Sequence, residues 1–174
     1  VNPLYIASSV LMELRNEFMN KKIGGEVPTV IAFGKIEGKG ATNVVPDSVY
    51  VEGTFRTMDE TWRSKAHGIM KQIAERKAAE EGGSVEFRIE KGYPFLRNDE
   101  SLTMSCKNAA LEYLGKERVE ELPTRMTAED FAFYTQHIPG CFFRLGTGNR
   151  SRGITSGVHT PTFDIDEEAL KTGM

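Results

Sequence analysis

The chain reads as an α+β fold, and two observations predict it. Two long segments repeat their apolar residues at helical intervals, and the segments between and after them are β-branched and alternate apolar with polar. The composition of the 174 residues, 39% hydrophobic and 27% charged, is ordinary for a globular protein and leaves room for one large or two small domains.

The first helix is announced by Asn2-Pro3, a cap followed by a first-turn proline, and its buried stripe is Leu4, Ala7, Val10, Leu11, Leu14 and Phe18. Gly24-Gly25 closes it. Residues 29–36 and 48–57 are rich enough in β-branched and apolar side chains to be an antiparallel strand pair. Their connection, residues 37–47, is longer than a tight hairpin needs, and such loops often carry function. Asp59 caps a second helix that runs through Trp62, Ala66, Ile69, Met70, Ile73 and Lys77 to Gly82-Gly83. Residues 84–93 alternate as a third strand. Helix, strand, strand, helix, strand is the order of a ferredoxin-like split unit without its first strand, which would precede Val1.

After Pro94 the composition shifts. A helix over residues 99–114 is followed by a short strand near Val119, a helical turn over 128–136 and an apolar strand over 141–145. Residues 146–161, rich in Gly, Ser and Thr, form a loop, and Asp166-Glu167-Glu168-Ala169-Leu170 reads as the acidic first turn of another helix. The boundary near residues 94–98 divides the chain into 1–95 and 96–174. A helix that starts at once and another barely entered at the end predict that the chain is a piece of a longer protein.

Several function classes fall away. The net charge of −3, with both signs mixed along the chain, offers no basic surface for nucleic acid. No apolar run approaches the ~20 residues of a membrane helix, and no leader opens the chain, so a soluble, cytoplasmic protein without a membrane partner is expected. Cys106 and Cys141 lack the spacing of a zinc ribbon or redox dithiol and are expected to be buried thiols. Neither has a suggested histidine partner for nucleophilic catalysis, and there is no phosphate loop or Gly-x-Ser-x-Gly elbow.

Of the three histidines, His67 lies beside the stripe of the second helix and reads as a surface imidazole. His137 ends a helical turn, where it suits the helix dipole. His159, in Gly157-Val158-His159-Thr160-Pro161, sits in an irregular loop where no packing stripe explains it; spacing alone leaves it either a metal ligand or an ordinary loop histidine. Glu129 and Asp130 could assist, yet no complete set of ligands and base can be assembled. The pairs Glu80-Glu81, Glu120-Glu121 and Glu167-Glu168 read as solvated or helix-starting acids.

Five ordered segments carry a resemblance: Val1-Asn2-Pro3-Leu4-Tyr5-Ile6-Ala7, Ala41-Thr42-Asn43-Val44-Val45-Pro46-Asp47, Glu52-Gly53-Thr54-Phe55-Arg56-Thr57, Met126-Thr127-Ala128-Glu129-Asp130-Phe131 and Val158-His159-Thr160-Pro161. Together they resemble the aminoacylase, hippurate hydrolase and auxin-conjugate hydrolase group of metallopeptidases. The resemblance implies a two-metal amidohydrolase whose α/β catalytic domain is interrupted by a ferredoxin-like lid. Residues 1–95 would be the incomplete lid and dimerisation domain, and 96–174 the C-terminal part of the catalytic domain. His159 matches the last metal ligand, Asn43 and Arg56 match lid positions that meet substrate, and Glu129 and Asp130 match a signature supporting the metal loop. Substrates would be N-acyl amino acids or small peptides, and the partner a second copy through the lid. The cofactor in the full enzyme would be two zinc, manganese or cobalt ions, with none held stably by this chain. The remaining metal ligands, the general-base glutamate and the lid histidine would lie before Val1; Ala79-Glu80-Glu81-Gly82-Gly83 falls at a helix end inside the lid and does not replace them. The competing expectation is a non-catalytic ferredoxin-like dimerisation or ligand-binding module.

Overall fold

The computed structural model describes residues 1–19 and 26–174, and the helix end expected at Gly24-Gly25 lies outside them. The chain divides into two compact units, Val1–Gly140 and Cys141–Met174.

In the first unit, α1 (Pro3–Met19) starts as the sequence implies, with the Asn2 side chain accepting from the Leu4 N–H at 3.0 Å. Strands β1 (Thr29–Gly38) and β2 (Val49–Thr57) pair antiparallel, from Thr29 opposite Thr57 to Gly38 opposite Val49. The register shifts between Phe33 and Lys35, so Gly34 is an extra residue in β1. Side chains alternate across a strand, and without this bulge Ile36 would point away from the face that holds Ile31 and Phe33. The bulge therefore keeps Ile31, Phe33, Ile36, Val51 and Phe55 on one face. Gly53 lies opposite Phe33, where any Cβ would meet the Ala32 carbonyl at 2.6 Å and the Phe33 ring at 2.6 Å.

Helix α2 (Glu60–Glu80) begins where Asp59 accepts from the Trp62 N–H. It ends at Gly82, whose φ of 73° suits glycine, with the Gly83 N–H bonded to the Ala78 carbonyl. Between α1, α2 and the sheet lies the core: Leu14 and Phe18 from α1, and Trp62, Ala66, Met70 and Ile73 from α2. Val27, Ile31, Phe55 and Phe87 pack against it. Phe18 meets the Phe55 ring edge-on at 5.6 Å and Trp62 at 6.1 Å, and the Trp62 indole N–H donates to Thr29 at 2.9 Å.

The third strand expected over residues 84–93 is absent as a ladder; the segment packs Phe87 on the core but pairs with no strand. In a split βαβ sheet the strand after the second helix bonds to the strand before the first, and the described residues contain none there, so its backbone has nothing to pair with. The short strands expected near Val119 and over 141–145 are also absent.

Helix α3 (Glu100–Leu114) is capped by Asp99, which accepts from Leu102, and closed at Gly115, yet none of its residues is buried. The helical turn expected over 128–136 is shorter, α4 (Ala132–Thr135). In the second unit a 3₁₀ turn (Arg150–Arg152) precedes α5 (Ala169–Gly173), so the acidic run at 166–168 leads into the helix rather than forming its first turn.

Leu14 is 2% exposed at the centre of the core. Leu14→Ala is expected to lower the unfolding free energy of the first unit by about 3 kcal/mol, through lost transfer energy and the cavity left behind. Urea unfolding followed by Trp62 fluorescence measures it.

Candidate functional site

Two of the residues singled out in the sequence fall in the β1–β2 hairpin, and they do not converge. Asn43 is exposed in the connection, inside a tight turn where Ala41 and Val44 exchange backbone hydrogen bonds at 3.0 Å each. Pro46 is buried behind it. Arg56 lies at the other end of the hairpin, opposite Val30, on the face turned away from the core. The strand between Val49 and Arg56 alone spans about 23 Å, so no small molecule touches both side chains on one chain.

What Arg56 does reach is the fourth matched segment. Its Nη1 donates to the Met126 carbonyl at 2.6 Å, a link between residues 70 apart in sequence. Three residues on, the Glu129 carboxylate is half-buried and accepts from the Phe131 N–H at 3.5 Å, while Asp130 is exposed and its carbonyl receives the Phe133 N–H at 3.0 Å. Both acids thus sit at the entry to α4, and a cation stands near the start of that segment.

His159 belongs to the second unit. It is exposed, and its φ of 65° is the only positive value of a non-glycine residue among the described residues. Its loop is pinned on either side: Thr160 Oγ1 donates to the Gly157 carbonyl at 2.8 Å, and the Ser156 and Thr162 hydroxyls meet at 2.8 Å. The neck of the loop is gathered on a residue that sequence reasoning assigned to a helix start. Asp166 accepts from Asn149 Nδ2 and from Arg152 Nη1, each at 2.6 Å, and its own N–H bonds to the Thr147 carbonyl at 2.8 Å. Hydrogen bonding from Asn149 holds the carboxyl below the usual aspartate range, with the Glu168 N–H and the Arg152 charge acting in the same direction.

The other histidine readings fare unequally. His67 is not a surface imidazole: it is half-buried against the Phe55 ring at 5.9 Å, and burial lowers its pKa, with Arg63 and Lys91 adding to the effect and Glu60 opposing it. His137 is exposed just past α4, its N–H bonded to the Tyr134 carbonyl. Of the glutamates, Glu80 is ion-paired with Arg76 and Lys77, Glu121 with Lys107, and Glu168 with Lys171. Cys106 and Cys141 are half-buried rather than sealed in a core.

Among the described residues no three His, Cys, Asp or Glu side chains come together as a metal site. The donors present therefore do not make up a two-ion centre, and His159 stands as a lone exposed imidazole.

The chain is similar in sequence and fold to known proteins. The family described as Peptidase family M20/M25/M40 matches residues 11–174. The chain is 34% identical to the IAA-amino acid hydrolase ILR1-like 4 of Arabidopsis thaliana, over 99% of the chain and 40% of that protein. It is 31% identical to the N-acetyl-L-cysteine deacetylase of Bacillus subtilis, over 97% of the chain and 39% of that protein. The crystal structure of the Bacillus subtilis YXEP protein, described as a dinuclear metal binding peptidase of the M20 family, superposes with a TM-score of 0.75 at 29% identity, covering 98% of this chain and 43% of that one. The chain thus spans about two fifths of the length of these relatives. No helix among the described residues is long and apolar enough to cross a membrane.

The lowered pKa of His67 has a measurable consequence. The folded unit favours the neutral imidazole, so the stabilisation is complete above the ordinary histidine value of about 6.5 and is lost as the pH falls through it toward the lower folded value. The thermal midpoint of the chain is expected to drop between pH 7.5 and pH 5.5. His67→Leu is expected to reduce that drop, measured by circular dichroism at both pH values.

Proposed function

Because the chain belongs to the M20/M25/M40 peptidase family, we propose that it is the lid and C-terminal catalytic portion of an amidohydrolase that cleaves N-acyl amino acids or small peptides with a metal-activated water. The observation that carries this reading is the similarity, over nearly the whole chain, to hydrolases of amino-acid conjugates. Residues 1–95 would serve as the lid and dimerisation domain, and residues 96–174 as part of the catalytic domain.

The roles assigned follow from chemistry each side chain can perform. His159 offers an imidazole nitrogen as a metal donor, and the remaining ligands and the base would be supplied from outside these 174 residues. Arg56 is an exposed, permanently charged fork with one Nη already oriented by the Met126 carbonyl, which suits the carboxylate of an N-acyl amino acid. Asn43 can donate to a carbonyl or accept from an N–H. Its separation from Arg56 means that it serves a different substrate from its own Arg56, which fits pairing of two copies through the lid. Glu129 and Asp130, as the matched signature implies, would support the metal loop.

This assignment separates binding from chemistry. In the full-length protein, His159→Ala is expected to cut kcat by more than about 10³-fold on N-acetyl amino acids, since a two-ion site loses a donor. Arg56→Ala is expected to raise KM about tenfold or more with a smaller effect on kcat, and to spare amides that lack the free carboxylate. The 174-residue chain alone is expected to show no hydrolysis, and calorimetric titration with zinc, manganese or cobalt to show weak binding or none. Measurable amidase activity of the isolated chain would sink the proposal.

A further inference from the structure

Resting on the reading of His159 as a functional residue, we propose that Asp166 is a positioning residue whose carboxylate fastens the neck of the loop that presents His159. In the unit Cys141–Met174 the one buried residue is not apolar but Asp166, 9% exposed. A carboxylate largely withdrawn from the surface costs free energy unless its oxygens are engaged, and here both are. Oδ2 takes the Asn149 amide, Oδ1 takes the Arg152 guanidinium, and the backbone N–H bonds to Thr147. Asn149 is itself locked: it exchanges backbone bonds with Ile154 at 2.8 and 2.9 Å, and its Oδ1 accepts from the Ser151 N–H and hydroxyl. One side chain therefore ties both ends of the 147–166 loop together.

His159 depends on that closure more than its neighbours do. Its imidazole is exposed, and its backbone occupies the left-handed region, which a non-glycine residue keeps only where its surroundings impose it. The only buried anchor in the unit is Asp166. Service as a cap for α5 is a lesser role for this carboxylate, because its bond from the Glu168 N–H is the longest of the set at 3.3 Å and the helix has only five residues.

The test is made on the whole 174-residue chain by NMR. In Asp166→Asn one oxygen must serve donors that two served before. Amide exchange at Asn149, Ile154 and position 166 is expected to accelerate at least tenfold. The His159 Cε1 proton signal is expected to collapse to that of an unstructured histidine, while amides of Met70, Ile73 and Ala74 in α2 keep their rates. Arg152→Ala, which removes a half-exposed partner, is expected to loosen the same amides to a smaller degree. This second variant decides the matter if Asp166→Asn does not fold. Unchanged loop amides and an unchanged His159 signal overturn the proposal. So does an equal acceleration in α2, which would make Asp166 a general stabiliser. None of these readouts needs catalysis, so a failed hydrolase assignment and a failed positioning role remain distinguishable.

Discussion

The packing of Phe18 against both Phe55 and Trp62 is the contact on which the first unit depends. It joins α1, β2 and α2 at one point, and the Trp62 indole adds a hydrogen bond to Thr29 at the start of β1. A two-stranded sheet is marginal in water by itself, so β1 and β2 persist because their apolar face is covered by these helices. The bulge at Gly34 extends that face by returning Ile36 to the side of Ile31 and Phe33. Coverage nevertheless fades along the hairpin, since Phe33 and Ile36 remain exposed. The half that is well covered is the half that carries Arg56, which fixes the strand end from which the guanidinium reaches Met126.

The second unit solves the same problem with different means. It has no apolar side chain fully removed from water, and its order comes from a polar hub at Asp166 and paired turns around Asn149 and Thr160. Such networks hold a loop in one geometry without the bulk of a hydrophobic core, provided every member is satisfied. A site that presents an exposed imidazole gains from this, because a ligand side chain must be open to its partner while its backbone stays still.

What could be read from the sequence was local. The caps at Asn2 and Asp59 accept the N–H their positions imply, and Leu14, Phe18 and the Trp62–Ile73 stripe are the core, whereas Leu4 at the start of the first stripe is exposed and Ile6, outside it, is buried. What could not be read was pairing across distance. Residues 84–93 have the alternation of a strand, but a ladder is a property of two segments, and the partner is not among the described residues. His67 sits beside the helical stripe as expected, and the Phe55 ring against it is a contact across elements that the helical pattern does not contain. Asp166 looked like a helix start because its partners, Asn149 and Arg152, lie 17 and 14 residues away. The spacing of His159 left it undecided, and the ordered family segments, not its surroundings, raised it above an ordinary loop histidine.

Residues 96–140 carry the remaining argument, through a deficit of burial. α3 has a good cap at each end and an ordinary share of apolar residues, yet Leu102, Met104 and Tyr113 are exposed and nothing on the helix is buried. Beyond it Phe133, Tyr134 and Ile138 are exposed as well. Helical propensity and caps alone rarely sustain a helix of this length in water, because most helical stability in proteins comes from burying an apolar face. The contacts that hold the region include Asp99 to the Gly140 carbonyl, Gln136 to the Phe95 carbonyl, Arg56 to Met126, and the edge-on contact of Phe133 with Tyr93. Apolar residues spent on exposed surface leave α3 and α4 held by their caps and local bonds rather than by a core.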